Sequence, residues 1–599
     1  MSLRAPVVIV LACLAVVLAA CGGGGSKSAN RGYRGYPFKS PVGGQSAPRG
    51  YASPTYNSYT PTGKIVADDG FRPWDNGFSF ENYGNDAGPT NMTPANMYDL
   101  FGPQVCISGS GDSCSLTGPA AQWMASLNDG MAGGHCMGFS VTALRMFSGG
   151  LSPGAFGAAT VPKLPLVGND KLQSMLAEGF SYQALPSVQA GEIGGDANNV
   201  LDHLTAALKS GRELYTMLIF GENGKPGGHA ITPFAVEDQG GGHFNVLVYD
   251  NNFPDVTRTV KFDRNKDTWE YRGGINPSDL NEKYGADGPT TKAQKLLRLA
   301  PTKAGEGVQP FAFAGDVGSG SAGSTAGGQV AYDQISLKGS VDNHAHLLIK
   351  DTSGHEMGYD KGQLVNTIPG ANILRPVADQ INVNQLPEPT YEIPPGIKVQ
   401  VHINGDGLTK VDDEQLTYIS KGVYFQVQHI QAHPGDHDLV ELKGGGGVLI
   451  YSTDNTTAAT PYLAAGLVDT DHGRRAAYAF VIKAIDVKGA SNIGLVFLPQ
   501  QHFFGAAAVA LHHKADFGYG KYVMVMDRET ENSSLQWVST NVNIQGPAKG
   551  RLFGEAEVGA VALVPYNQKD WTKADKVPVH IVNEVTYKET DTAHLSFSK

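Results

Sequence analysis

Residues 211–252 read GRELYTMLIFGENGKPGGHAITPFAVEDQGGGHFNVLVYDNN. Leu214 to Phe220 is a short apolar run that reads as a strand, and the loop Gly221 to Gly228 leads to His229. Ala230 to Glu237 reads as a second strand, Gly240-Gly241-Gly242 as a hairpin loop, and Phe244 to Tyr249 as a third strand. With the turn centred near residues 240 and 241, antiparallel pairing sets His229 opposite roughly Asn252. Side chains alternate along a strand, so Asp250, two residues away, projects to the face of His229, and Asn251 to the other. One hairpin therefore carries an imidazole and a polar group able to orient it.

A nucleophile is found upstream. Residues 119–150 read PAAQWMASLNDGMAGGHCMGFSVTALRMFSGG. Gly133-Gly134 ends one helix-like stretch and His135-Cys136 opens another. In the second, Phe139, Ala143, Met146 and Phe147 recur at helical spacing, with Val141 and Leu144 beside them, which predicts a largely buried helix. Cys136 falls in its first turn, where unpaired N–H groups and the positive end of the dipole favour a thiolate, the nucleophilic form. The order Cys, His, then Asp or Asn supplies a nucleophile, a base and an orienting group.

GGHCMGFS (133–140), GGHAITPFAVED (227–238) and VYDNNFP (248–254), in this order, resemble the papain-like cysteine peptidase superfamily, most closely its bacterial surface members and bacteriocin-processing peptidases. The resemblance covers roughly residues 100–300. It implies an α+β papain-like catalytic domain with Cys136 as nucleophile, His229 as base and Asp250 as the third member, with Asn252 and Asn251 as rivals. Only 93 positions separate Cys136 from His229, fewer than in papain, so a minimal core is implied. The oxyanion-hole Gln of papain stands six residues before its Cys, where this chain has Gly130. Gln122 is the Gln of the upstream helix and becomes the oxyanion-hole candidate, beside the Cys136 backbone N–H. The implied activity is hydrolysis of peptide or amide bonds. Acyl transfer to an amine, as in transglutaminases, uses the same groups, and a surface adhesion or binding protein with an inactive site is the alternative of a different class.

The chain has 599 residues, a formal net charge of -11 and five cysteines. That length predicts about three domains, the acidic balance argues against nucleic acid, and 76 glycines with 34 prolines suggest a turn-rich β body. Residues 1–21 read MSLRAPVVIVLACLAVVLAAC, and Leu18-Ala19-Ala20-Cys21 resembles the bacterial lipobox. A removed signal peptide, an acylated Cys21 and an extracytoplasmic location at a bacterial membrane follow from that resemblance. Residues 22–67 read as a flexible tether containing Lys27, Arg31, Arg34, Lys39, Arg49 and Lys64 and no acid. With those six and Arg4 set aside, the net charge of the remainder is -18. Cys106 and Cys114 frame a Gly/Ser-rich loop and read as a disulfide in an exported protein. Cys13 lies in the signal, so Cys136 is the cysteine left for chemistry.

The expected organisation is a catalytic domain at 68–301, a Gly/Ser/Ala linker at 302–328, a β-sandwich at 329–465 and a second β-rich domain at 466–599. Ala345 to Lys350, Lys398 to Ile403, Val423 to His429, Ala477 to Ile482, Ile493 to Leu498, Tyr522 to Met526 and Val577 to Val582 are the strand-like segments, with no evident internal repeat. These β domains are expected to hold a cell-wall polymer or surface protein, beside the peptide or protein substrate of the site. No phosphate loop or dinucleotide fingerprint stands in a strand–helix context, so no cofactor is expected. His429, His433 and His437, and His344, His346 and His355, read as polar loops rather than metal ligands. Leu386 to Thr390 reads as a turn.

Overall fold

A computed structural model describes residues 59–221, 227–274, 281, 283–286, 296–316, 332–340, 343–375, 388–443, 447–453, 461–471, 474–486, 492–498, 502–510, 520–539, 542–544, 557–567, 576–583 and 588–597. The signal segment, Cys21 and most of the tether lie outside them. A mixed helix–sheet half is followed by a half built of antiparallel strands.

The first half pairs helices with one antiparallel sheet. Its strands are β1 (Lys64–Asp68), β2 (Ile193–Gly194), β3 (Tyr215–Phe220), β4 (Gly228–Gly240), β5 (His243–Tyr249), β6 (Thr257–Asp263), β7 (Thr268–Arg272), β8 (Lys283–Ala286) and β9 (Leu297–Pro301). They lie in the order β8-β7-β6-β5-β4-β3-β9-β2, with β1 on the outer part of β4. The end of the expected tether is thus part of the fold: Lys64 pairs with Asp238 and Ile65 with Glu237. Its short apolar run Ile65-Val66-Ala67 is enough for a strand once β4 offers an edge.

Five helices matter for the site: α1 (Pro94–Phe101), α2 (Gly118–Gly130), α3 (Cys136–Phe147), α4 (Asp170–Ser181) and α5 (Ala197–Ser210). Side chains of Thr93, Thr117, Asn169 and Asp196 cap α1, α2, α4 and α5. Helix α3 is buried over most of its circumference. It lies against β3 and β4 through Ser140, whose hydroxyl meets those of Thr232 at 2.7 Å and Thr216 at 2.9 Å. On its other side it crosses α4 so closely that a Cβ on Gly138 would stand 1.9 Å from the Leu176 carbonyl oxygen. Gly138→Ala is therefore expected to cost about 1–3 kcal/mol or more, measured by chemical denaturation; unchanged stability would show that the helices can separate freely.

Residues 302–316 of the expected linker are packed rather than extended. Phe311 and Phe313 are buried, and the Phe311 ring lies 5.0 Å from Phe101 and 6.0 Å from Trp123. Aromatic burial outweighs the loop-like Gly content around it.

Each strand-like segment of the second half falls on a strand, with Ala345 and Lys398 one residue before theirs. Two antiparallel ladders face each other over one hydrophobic core that runs from Ile335 to Leu595. One ladder contains the hairpins Asp412–Ser420/Val423–Ala432, Tyr462–Asp471/Arg474–Asp486 and Gly520–Thr530/Ser533–Ser539. The other runs from Val399–Asn404 through His437–Lys443/Val448–Ser452 and Asn492–Leu498/Phe503–Ala510 to Glu557–Pro565. Phe480 stacks on Phe504 across the layers at 5.1 Å. The chain alternates, one hairpin in each layer, and Lys588–Phe597 pairs with both ladders, joining them at one end. The topology repeats although the sequence does not, because a ladder demands only alternating burial and compatible turns. The division expected at Ala465 falls inside Tyr462–Asp471, a strand hydrogen-bonded on both edges.

The two halves are in contact. Arg475 donates to the carbonyls of Gln104 and Cys106 at 2.9 Å each, Lys338 pairs with Asp129 at 2.8 Å, and Gly118 lies under the Tyr424 ring. Cys106 and Cys114 are joined by a disulfide, so the carbonyl of a disulfide cysteine anchors Arg475 of the β half.

A titratable group at the end of β1 affects stability. Asp69 is pushed up to about 7 by burial, with the Phe71 N–H opposing and the Asp68 charge adding to the rise. A raised carboxyl stabilises the fold at pH values below its unfolded value of about 3.9, and this contribution is lost as pH rises through 7. Melting temperature is expected to fall between pH 4 and 7 in the wild type and to fall less in Asp69→Asn. Identical pH profiles for the two chains would remove Asp69 from this role.

Candidate active site

His229 and Asp250 meet on the β4–β5 hairpin. The His229 Nε2 lies 2.7 Å from Asp250 Oδ1, and both side chains are fully buried. The β4–β5 register ends at Thr232↔Tyr249, on the same offset that the sequence alternation expects for His229 and Asn252. The route to that register differs from the sequence expectation. The turn lies one residue later, pairing Gly240 with His243, and two bulges, between Asp238 and Gly240 and between Pro233 and Ala235, restore the alignment.

The three polar residues after β5 have separate duties. Asp250 Oδ2 accepts the Tyr271 hydroxyl, and Oδ1 accepts the Asn252 N–H at 2.9 Å as well as the His229 ring. Burial opposes ionisation of Asp250, but the charge and hydrogen bond of His229, then the Tyr271 and Asn252 donors, outweigh it and hold the carboxyl below its ordinary range. Asn252 Nδ2 donates to Gly274 O at 2.9 Å. Asn251 Nδ2 donates to Ala230 O at 2.8 Å and to Cys136 O at 3.2 Å. One amide thus ties the first residue of α3 to the residue after His229.

Cys136 is the cysteine outside the disulfide among the described residues, and it is buried. Its helix, unlike the other four, has no capping side chain, since His135 occupies the N-cap without a side-chain bond to the helix. The His135 ring is engaged elsewhere: Nδ1 donates to Tyr83 O at 2.7 Å, and Nε2 lies 3.0 Å from Asn91 Oδ1. Burial, opposed by the Tyr83 carbonyl, pushes His135 down to about 4.

Gln122, the oxyanion-hole candidate of the sequence, is engaged with the β half. Its Oε1 accepts Gln426 Nε2 at 2.6 Å, and it lines a cavity of about 160 Å³ between the two halves. Helix α2 docks its Gln122 face on the β half, which turns the amide toward Gln426. A different amide, missed in the sequence, stands beside the start of α3. Asn82 Oδ1 accepts the His135 N–H at 2.8 Å, its backbone N–H donates to Asn251 O at 3.0 Å, and its Nδ2 lies 2.8 Å from where a Cβ on Gly134 would be. Gly134, at φ 136°, allows that approach. No motif in SFENYG marks Asn82; only a contact across 53 residues does.

No known protein family, curated protein or solved structure matches the chain.

Among the remaining histidines, His429 pairs with Asp413 and His433 with Asp436, each at 3.0 Å, and His437 with Asp406 at 3.4 Å. His355 pairs with Asp351 at 2.8 Å. His344 and His346 instead converge on Glu388.

Proposed function

We propose that this chain is a papain-like thiol hydrolase of peptide or amide bonds, anchored at an extracytoplasmic membrane surface through an acylated Cys21. The observation that carries the reading is the buried His229–Asp250 pair on a hairpin whose neighbouring Asn251 amide is bonded to Cys136 O. With Nε2–H donated to Asp250, the basic nitrogen of neutral His229 is Nδ1, the atom that would take the thiol proton. The Cys136 thiolate then attacks the carbonyl carbon. The oxyanion is received by the Cys136 backbone N–H and the Asn82 amide, His229 protonates the leaving amine, and water releases the acyl group from sulfur.

The test is covalent trapping. The native full chain is treated with a peptide bearing a thiol-directed electrophile, and the adduct is located by mass spectrometry. Modification of Cys136 in the folded protein is expected, and it should be lost in His229→Ala. Modification only after denaturation would overturn the reading. Asn82→Ala is expected to lower kcat about 10²–10³-fold with little change in KM; a change confined to KM would remove Asn82 from the oxyanion site.

The complete burial of Cys136 favours a second reading, a surface binding protein with a silent site. Trapping distinguishes the two, because a sealed thiol does not react in the native chain.

A further inference from the structure

The cavity between the halves has a second group of chemically competent side chains on its wall. His344 and Glu388 line it on the β side, and Gln122, Asp129 and Gln183 on the helical side. His346 completes the group: one ligating atom from each of His344, His346 and Glu388 lies within 4.8 Å of the other two.

The orientations are fixed by their supports. Glu388 is buried, and its Oε1 accepts the Leu347 N–H at 2.8 Å and the Tyr391 hydroxyl at 2.6 Å, which aims Oε2 at the two rings. His344 Nδ1 donates to the Ser340 carbonyl at 3.0 Å, so its Nε2 carries the lone pair when the ring is neutral, and that atom faces Glu388 Oε2 at 3.9 Å. A histidine whose first nitrogen donates to a backbone carbonyl and whose second is presented to a shared point has the usual support of a metal ligand. The His346 ring lies against Tyr359 at 4.3 Å and sets Nδ1 2.8 Å from the same carboxylate oxygen. Burial, which disfavours the charged ring, keeps His344 below its ordinary value despite the nearby Glu388.

Ligand atoms about 2.0–2.1 Å from a tetrahedral zinc ion stand roughly 3.3 Å from one another. The two distances to Glu388 Oε2, 2.8 and 3.9 Å, bracket that value. The two ring nitrogens lie within 4.8 Å of each other, so seating an ion requires the rings to close on a shared point. The cavity supplies the space for a water or small ligand in a fourth position.

We propose that His344 Nε2, His346 Nδ1 and Glu388 Oε2 bind a divalent transition-metal ion of the zinc type, with its open coordination position facing the cavity between the halves. Imidazole and carboxylate donors suit such ions. Three protein ligands with one position open is the arrangement of zinc sites that bind an exchangeable ligand, whereas purely structural sites are closed. This site does not depend on Cys136, so it stands or falls separately from the thiol chemistry.

The test uses the untagged full chain stripped with a chelator, in wild-type and Cys136→Ala forms. Zinc chloride is titrated by calorimetry and cobalt chloride by visible absorption. One ion per chain is expected in both forms, with the absorption of four- or five-coordinate cobalt and no thiolate charge-transfer band. His344→Gln and His346→Gln should each weaken binding ~10-fold or more. Zinc should raise the melting temperature of the wild type and not of these variants. Absence of zinc and cobalt binding by the wild-type chain would overturn the proposal, even if a variant misfolds. A thiolate band, or unchanged affinity in both histidine variants, would also overturn it by placing the metal elsewhere.

Discussion

Cys136→Ala is expected to abolish amide-bond hydrolysis, with kcat/KM reduced at least about 10⁴-fold. The size of the loss follows from the chemistry assigned to sulfur: without it no acyl-enzyme forms, and neither His229 nor an oxyanion donor replaces a nucleophile. Cys136 is fully buried at the start of a helix packed over most of its circumference, so the variant must also be shown to fold. Deleting one sulfur atom from a packed core costs on the order of 1 kcal/mol, which a denaturation curve resolves easily. Cys136→Ser keeps the volume more closely and should be equally inactive, because a serine hydroxyl lacks the acidity that lets a helix N-terminus and an imidazole ionise a thiol. Peptide cleavage by the wild type that persists in both variants would refute the mechanism.

Asp250→Ala is expected to cost about 3–5 kcal/mol of stability, the range for removing one partner from a buried charged pair. Its carboxylate is the acceptor for the His229 ring, the Tyr271 hydroxyl and the Asn252 N–H, and the substitution leaves all three donors without it. The same carboxylate has its pKa depressed, so it adds stability above the ordinary carboxylate range of about 4 and loses that contribution as pH falls through its folded value. Asp250→Ala should therefore show its largest deficit near neutral pH and a smaller one in acid. Asp250→Asn keeps an acceptor for the imidazole but removes the charge that stabilises an imidazolium. It should fold better than the Ala variant while losing activity by up to about 10⁴-fold. Full activity with a wild-type pH–rate profile in Asp250→Asn would reduce Asp250 to a structural role.

The candidate site was legible where local rules govern. Strand alternation and the Gly240-Gly241-Gly242 punctuation were enough to bring His229 and Asp250 to one face, although the register reached that result through a shifted turn and two bulges. Bulges leave little trace in composition, so the agreement rested on two offsets that compensate. Helix periodicity likewise placed Cys136 at a helix start. Contacts between distant segments were not legible. Asn82 reaches His135 from a loop with no periodic pattern, and Gln122 turns to Gln426 because of how α2 docks, which no spacing within α2 encodes. Glu388 stands in a turn-like Leu-Pro-Glu-Pro-Thr stretch (386–390), and its convergence with His344 and His346 depends on neighbours distant in sequence. At the fold level, the strand-like segments were readable one by one from their β-branched and aromatic content. Their assembly was not, because a continuous pair of ladders and two separate sandwiches demand the same alternation.

The alternation of hairpins between the facing ladders also bears on how the β half can change in size. Comparable hairpins of one layer begin at Asp412, Tyr462 and Gly520. Removing or adding one hairpin from each layer together would leave every remaining strand with a neighbour and every inward side chain with something opposite it. Removing a single hairpin would strip one layer and leave the other's apolar face wet, and an unpaired edge would invite association with other chains. Length in this half is therefore expected to change in blocks of four strands rather than one hairpin at a time.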